Sequence, residues 1–353
     1  MLLSNIDEFT DEGPEERTRH TMCVMDDHLF IYGGFKNSIR TLLGYLWCYN
    51  ITQDRWSKKI VGVPLHLTCS SAEIISHDSY LYIFGCTDFQ NGHFVTNVIS
   101  RYDTLRRKWE LVSQTDLDFD ESGDRPCFVS CFFQYDKHLY IIADTTSNIS
   151  RYSIFKYSLV NKSWSPVDQK GDIPEFTCQV FGAVCDHRYF YFCDGDREHP
   201  KRFQTVVVFD LRKCVWTTVD TFSDNGEYPC DRTNFSITFS DIYGYLSGGV
   251  SEGQKKLDDI WCLNLLSLRW QRLDVKLQAG IMLHRSAIHA NSTLYVFGGV
   301  EVENIKLNKL QKFYIRPPSL FQICLGLAYK FKDEEMKKKK LPIQIAEQMN
   351  FIV

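Results

Sequence analysis

A tryptophan returns along this chain at a nearly fixed interval. Trp56, Trp109, Trp164, Trp216 and Trp270 are separated by 53, 55, 52 and 54 residues. Seven positions before each stands a large apolar side chain: Tyr49, Tyr102, Tyr157, Phe209 and Leu263. Upstream of each tryptophan runs a short apolar stretch that closes on glycine or another small residue. The stretches are His28–Gly34, Tyr80–Gly85, His138–Ala143, Tyr189–Gly195 and Tyr243–Gly249, and a sixth, Thr293–Gly299, has no tryptophan after it. A repeat of about 50 residues with four short strands per unit is the signature of propeller blades, since one small sheet must stack on neighbours to bury both faces. Six stretches predict six blades, an all-β propeller over residues 1–316 and a separate tail over 317–353.

The pattern resembles the kelch repeat, in which an apolar run is followed by Gly-Gly and then by a Tyr and a Trp at set spacing. The resemblance covers roughly residues 15 to 315. Gly-Gly survives at Gly33-Gly34, Gly248-Gly249 and Gly298-Gly299, but reads Gly85-Cys86, Ala143-Asp144 and Asp194-Gly195 in the middle repeats. Glycine here supplies positive φ and lets backbones approach closely near a crowded axis. The seven-residue pairs are expected to flank a tight turn between the two outer strands and to pack one blade on the next.

Each blade is expected to run as strands a, b, c and d from the axis outward. In blade one these are about Thr18 to Met25, Leu29 to Tyr32, Tyr45 to Tyr49, and a strand beginning near Trp56. Blade six lacks a Trp-bearing strand d, and the N-terminal segment around Leu2 to Phe9 is the spare piece that could close it.

Composition narrows the function classes. At 44% hydrophobic and 14% aromatic, the chain can bury a large core, and no low-complexity tract points to disorder. The start carries neither a basic segment nor a long apolar core, so a signal peptide is not expected. No apolar stretch reaches the length of about 18 residues that a membrane helix needs, so no membrane partner is expected. The thirteen cysteines include several in strand-like runs (Cys23, Cys48, Cys193, Cys262) and form no Cys-x-x-Cys pair. They read as reduced thiols acting as small buried hydrophobes, in the cytosol or nucleus. The histidines are scattered, and no metal-spaced pair, paired carboxylates or nucleophile constellation emerges. The expectation is a non-enzymatic chain without cofactor or metal. A net charge of −4 and the lack of a recognition motif give no support to nucleic-acid binding.

The b–c and d–a loops of a propeller emerge on one face, and the a–b and c–d turns on the other. The a–b turns lean acidic, whereas arginines recur on the opposite face. Arg19, Arg125, Arg232 and Arg285 stand just before strand a, and Arg40, Arg151, Arg197, Lys201 and Arg202 fall in b–c loops. Arginine suits bidentate capture of carboxylates, and several around one concavity would focus an anionic ligand. The plainer reading is that each is solvated or pairs with a neighbour, such as Asp124 beside Arg125 or Asp231 beside Arg232.

After Pro317-Pro318, apolar residues at Leu320, Ile323, Cys324, Leu327, Ala328 and Phe331 follow the helical period behind an N-cap at Ser319. The segment resembles a BC box, the elongin-C-binding helix of ubiquitin-ligase substrate receptors, with Ser319, Leu320, Cys324 and Ala328 in its four defined places. The resemblance implies that Leu320 enters a pocket of elongin C while Cys324 and Ala328 line the contact. Beyond Lys337–Lys340, Leu341, Pro342 and Ile345 resemble the cullin box of receptors that use cullin-2. The plainer reading is a helix folded back onto the propeller, and the lysine run is a solvated linker.

Propeller and tail together resemble the kelch-domain substrate receptors of cullin-2 ligases. That likeness implies elongin B/C and cullin-2 as partners, and clients held by their extreme C-termini, often glycine, in a pocket on the propeller face. On that basis Arg197, Arg202, Arg232 and Arg285 are the residues expected to meet a client carboxylate. The rival class is a kelch scaffold or cytoskeletal binding protein.

Overall fold

The computed structural model describes residues 7–10, 13–36, 43, 45–59, 72–84, 98–114, 126–145, 152–174, 180–193, 203–320 and 323–324. Those residues form a six-bladed all-β propeller. Blade one consists of strands a (Thr21–Met25), b (His28–Tyr32), c (Leu46–Asn50) and d (Arg55–Lys59). Blades two to five repeat the antiparallel a-b-c-d order, and blade six comprises Arg285–His289, Thr293–Phe297 and Leu310–Tyr314. The a–b turns are tight, with Asp26, Asp78, Asp136, Asp186, Asp241 and Asn291 at positive φ, which explains their Asp and Asn content.

The tryptophan interval has a direct structural meaning. Tyr49 faces Trp56 across strands c and d, and the same register pairs Tyr102 with Trp109, Tyr157 with Trp164, Phe209 with Trp216 and Leu263 with Trp270. Each facing pair sits beside the c–d turn, and its rings help to fill the gap between blades. Trp164 donates from Nε1 to Ser113 Oγ of blade two at 3.0 Å, and Trp216 donates to Gln169 Oε1 beyond blade three at 2.8 Å. Trp270 donates to the Phe203 carbonyl of blade four at 2.8 Å. These three tryptophans therefore tie their own blades to the preceding ones.

Among the described residues the core is divided among six apolar clusters, each made from two adjacent blades. The cluster that closes the ring joins Met22, Leu29, Ile31 and Trp47 of blade one to Ala287, Tyr295 and Phe297 of blade six. Burial of this kind stabilises at about 25 cal/mol per Å² of apolar surface. A hydrogen bond between His289 Nε2 and Asp27 Oδ1 at 2.8 Å spans the same junction.

Closure differs from the sequence expectation. Asp7–Thr10 pairs antiparallel with strand d of blade one, Asp7 facing Lys59 and Thr10 facing Trp56. The N-terminal strand is thus a fifth strand on blade one, and blade six has three strands among the described residues. Trp56 packs on Phe297 of blade six at 5.9 Å, and Gly13 lies against its indole. Residues 2–6 lie outside the described residues.

The cysteines of the described strands behave as predicted where they can be compared: Cys48 and Cys262 are buried, Cys23 is half-buried, and all three are free thiols. The side chain of Cys193 lies outside the described residues.

Candidate functional site

Counting back from the a–b turns places the arginines in register. Thr21, Ser236 and Arg285 each open strand a, facing Tyr32, Ser247 and Phe297 at the end of strand b. Arg19 stands two positions earlier than this, and Arg232 four positions earlier. The four arginines that the sequence groups before strand a therefore do not occupy one structural place, and Arg125 lies outside the described residues.

Arg232 shares its place with Arg17, and both are structural. Arg17 donates from Nη1 to the Gly33 carbonyl at 3.1 Å, and Arg232 from Nη1 to the Gly248 carbonyl at 3.1 Å. Arg232 is 1% exposed and grips Asp259 with two hydrogen bonds, Nη1 to Oδ1 at 2.6 Å and Nη2 to Oδ2 at 2.9 Å. Trp261 Nε1 donates to the same carboxylate at 2.7 Å. Burial alone would push the Asp259 carboxyl up, but the bonds from Arg232 and Trp261 outweigh it and hold the group below the usual range. Arg17 is completed by Glu15 at 2.8 Å, and its own burial lowers it to about 10. The expectation that Arg232 meets a client carboxylate is therefore corrected: its guanidinium is already committed to a carboxylate of its own blade. The neighbour Asp231 is not its partner. The signal that identifies this pair is the matching place of Arg17 and Arg232 before Gly-Gly, which counting from the glycines would have revealed.

Arg285 lies elsewhere. Its guanidinium stacks on the ring of Phe181 at 5.0 Å. Phe181 sits in strand a of blade four, four residues before Cys185 at the a–b turn, just as Arg285 stands four before His289. A blade-six side chain can reach a blade-four ring only where the innermost strands converge, so this pair lies at the propeller axis. Phe181 in turn meets Phe235 at 5.5 Å, Phe235 meets Phe203 at 6.0 Å, and Phe203 meets Trp270 at 5.8 Å. An aromatic chain thus runs from the axis to the outer strand of blade five.

Two imidazoles flank Arg285. His20 and His284 occupy equivalent places in blades one and six, and both are buried. Each presses on a glycine of the preceding blade: a Cβ at Gly298 would lie 2.9 Å from His20 Cε1, and one at Gly248 would lie 2.7 Å from His284 Cε1. Those glycines also have φ near +66° and +57°, which a larger residue rarely adopts. Burial, reinforced by Arg17, Arg285 and His284, holds His20 well below the ordinary histidine value. Burial and Arg285 lower His284 to about 3, and its Nε2 is bonded to Ser247 Oγ at 2.9 Å. Both imidazoles are neutral at pH 7.

The loops above this axis carry Arg19, Lys256 and Lys306 beside acidic neighbours such as Glu252 and Glu301. Arg19 is exposed on a left-handed residue, and its N–H donates to the Leu283 carbonyl, whose own N–H donates to Asn234. Lys256 reaches the Glu301 carbonyl of the blade-six b–c loop, and Lys306 reaches the Lys36 carbonyl of blade one at 3.4 Å. The face can therefore offer cationic donors around an aromatic axial floor. Arg197 and Arg202, the other expected arginines, lie outside the described residues, as do Arg40, Arg151 and Lys201. Among the described residues no cluster of three metal-ligating side chains forms.

The tail leaves from the opposite face. Strand c of blade six runs from Leu310, facing Phe297, to Tyr314, facing Thr293 beside the a–b turn. Ile315 and Arg316 donate from their backbone N–H to the Ser292 carbonyl, and the Arg316 guanidinium lies 3.5 Å over the Tyr243 ring. Ile323 N–H then donates to the Ser319 carbonyl at 3.0 Å, closing one helical turn. Leu320 is 75% exposed and Ile323 45%, while Cys324 is half-buried. Ala328, Leu341, Pro342 and Ile345 lie outside the described residues.

The family described as the KLHDC2/KLHL20/DRC7 kelch-repeats domain matches residues 4–143 and 129–319. The chain is a kelch-repeat protein. Among curated relatives, it is 24% identical over 352 residues to Kelch domain-containing protein 10 homolog of Drosophila melanogaster, covering 88% of this chain and 57% of that protein. It is 22% identical over 330 residues to human Kelch domain-containing protein 10, covering 88% of this chain and 73% of that one. Human Kelch domain-containing protein 1 is 23% identical over 352 residues, covering 88% and 83%. The chain spans little more than half of the fly relative. A kelch propeller of this kind is suited to protein binding.

Proposed function

We propose that this kelch protein is the substrate-recognition subunit of a cullin-2/elongin B/C ubiquitin ligase, itself non-catalytic. The observation that carries the reading is the pair of apolar side chains, Leu320 and Ile323, held out in solvent on a helical turn directly after blade six. A chain that used this helix only to cover its own propeller would bury them. Leu320 and Cys324 fall on the BC-box spacing, with Ala328 one turn further, and Leu341, Pro342 and Ile345 provide the cullin-2 contact.

Clients bind on the other face through their C-terminal peptides. A terminal carboxylate pairs with Arg285 at the axis, aided by Arg197 and Arg202 from their b–c loop. Work of this kind belongs to the cytoplasm or nucleus. Client and adaptor on opposite faces leave each free to engage without occluding the other.

The test is co-expression of the full chain with elongin B and elongin C, beside a chain ending at Arg316 and the variant Leu320→Ser with Cys324→Ser. Co-elution of the three proteins, lost with truncation and with the double variant, supports the reading. Failure of the full chain to co-elute overturns it and returns the protein to a kelch binding scaffold.

A further inference from the structure

The innermost strands of the six blades share one register around the axis. Four positions back from the last residue of strand a stand Thr21, Glu73, Cys131, Phe181, Ser236 and Arg285, in blades one to six, each facing the matching residue of strand b. The ring alternates. Blades one, three and five place a short side chain there, and each joins its blade to the next. Thr21 Oγ1 accepts from the Ile74 N–H at 3.3 Å, Cys131 Sγ from the Tyr189 hydroxyl at 2.7 Å, and Ser236 Oγ from the Ser286 N–H at 3.0 Å. Blades two, four and six place a long one: an acid, an aromatic ring and a guanidinium.

The two charges approach the same blade. Arg285 lies 5.0 Å from the Phe181 ring of blade four. Beside Phe181 is Gly182, where a Cβ would strike the Tyr189 hydroxyl, so Tyr189 packs directly against this stretch of strand a. Tyr189 feels the Glu73 charge: burial first, then Cys131 and Glu73, hold its phenol well above the ordinary value. Burial, reinforced by Glu73 against the bond from Tyr189, likewise pushes the Cys131 thiol up to about 12. Glu73 and Phe181 are both half-buried, so neither is sealed from solvent. A carboxylate and a guanidinium gathered about one apolar ring give the axis a negative and a positive end.

We infer that the axis selects peptide ends that carry a basic side chain: Arg285 takes the terminal carboxylate, Glu73 takes the lysine or arginine next to it, and Phe181 packs against that residue's aliphatic stem. The inference rests on the client reading proposed above and makes Glu73 the residue that discriminates among clients. An acidic residue beside the terminus would meet Glu73 and be rejected by like-charge repulsion.

The experiment titrates the full chain with fluorescein-labelled peptides that differ only in the penultimate residue, lysine, norleucine or glutamate, each as free acid and as amide, followed by fluorescence anisotropy. Norleucine keeps the aliphatic stem and lacks the charge. The lysine acid is expected to bind roughly tenfold tighter than the norleucine acid, and the glutamate acid to bind weakest. Glu73→Gln is expected to remove the advantage of lysine while leaving the norleucine acid unchanged, and Glu73→Lys to transfer the advantage to glutamate. Circular dichroism checks the fold of both variants, and the three acids on the unaltered protein decide the matter where a variant does not fold. Equal binding of the three acids, with the amides weaker, overturns Glu73 as the selector and leaves carboxylate capture standing. A Glu73→Gln protein that binds all three acids more tightly by the same factor also overturns it, since Glu73 then serves only to neutralise Arg285. No binding by any acid, or equal binding of acid and amide, overturns both the selector and the client reading of the axis.

Discussion

The Arg232 guanidinium holds the Asp259 carboxylate with two hydrogen bonds, at 2.6 and 2.9 Å, across 27 residues of sequence. The pair welds the segment before strand a of blade five to the start of strand c, and it bonds the Gly248 carbonyl of the same blade. Removing one partner leaves the other charge buried and alone. Arg232→Ala is therefore expected to cost about 3–5 kcal/mol in urea unfolding. Replacing both partners, Arg232→Met with Asp259→Leu, is expected to recover only part of this, since the Trp261 N–H and the Gly248 carbonyl lose their partners too. A stability change below about 0.5 kcal/mol, together with loss of client-peptide binding by the folded protein, would restore Arg232 to the binding surface.

The neutral histidines make the fold sensitive to acid. His20 and His284 titrate below the ordinary histidine value in the folded state, so the unfolded chain binds more protons over the interval beneath it. Stability therefore falls as pH drops below about 6.5 and rises with pH across that window, by at most about 1.4 kcal/mol per pH unit for each imidazole. Blade five shows the remedy, since Phe235 stands in the place of these histidines and is buried. His20→Phe is expected to flatten the fall in melting temperature between pH 7 and pH 5. An unchanged slope would show that His20 binds as many protons in the fold as in the unfolded chain.

The tryptophans should not be equal. Trp216 is fully buried, packed on Phe209 at 4.8 Å and Tyr191 at 5.9 Å. Trp216→Ala is expected to cost about 3–5 kcal/mol through the cavity it leaves. Trp164 is only partly buried, so the same change there should cost less; thermal unfolding of the two variants checks the order.

Arg285→Ala should weaken a client C-terminal peptide by about 2–5 kcal/mol if its carboxylate is desolvated at the axis. Arg285→Lys should not rescue binding, because an ammonium cannot reproduce the bidentate contact or the stacking on Phe181. Calorimetry with an amidated peptide separates carboxylate capture from side-chain contacts: equal binding of acid and amide would remove Arg285 from the role.

Leu320→Ser is expected to abolish elongin association while leaving the melting temperature unchanged, since its side chain projects into solvent. A lower melting temperature would mean that the helix is part of the propeller's own packing.

The sequence by itself determined the architecture. Tryptophans at a constant interval, each facing an apolar residue seven positions back, specify c–d hairpins repeated about an axis. That information is local, because a hairpin's register depends on its own turn and on alternation along its strands. The helical pattern of the tail falls almost wholly outside the described residues, which hold only the bond from Ile323 N–H to the Ser319 carbonyl. What belongs to the ring as a whole was decided in three dimensions. The N-terminal strand joined blade one although the sequence pointed to blade six, because an edge strand can pair with either of two adjacent blades and only packing around Trp56 distinguishes them. Arg232 became structural through Asp259, and Arg285 reached Phe181 two blades away, although both arginines precede or open a strand a in the sequence. Bringing together residues separated by 27 positions takes the folded blade, and bringing together Arg285 and Phe181 takes the closed propeller; both lie beyond what neighbouring residues specify.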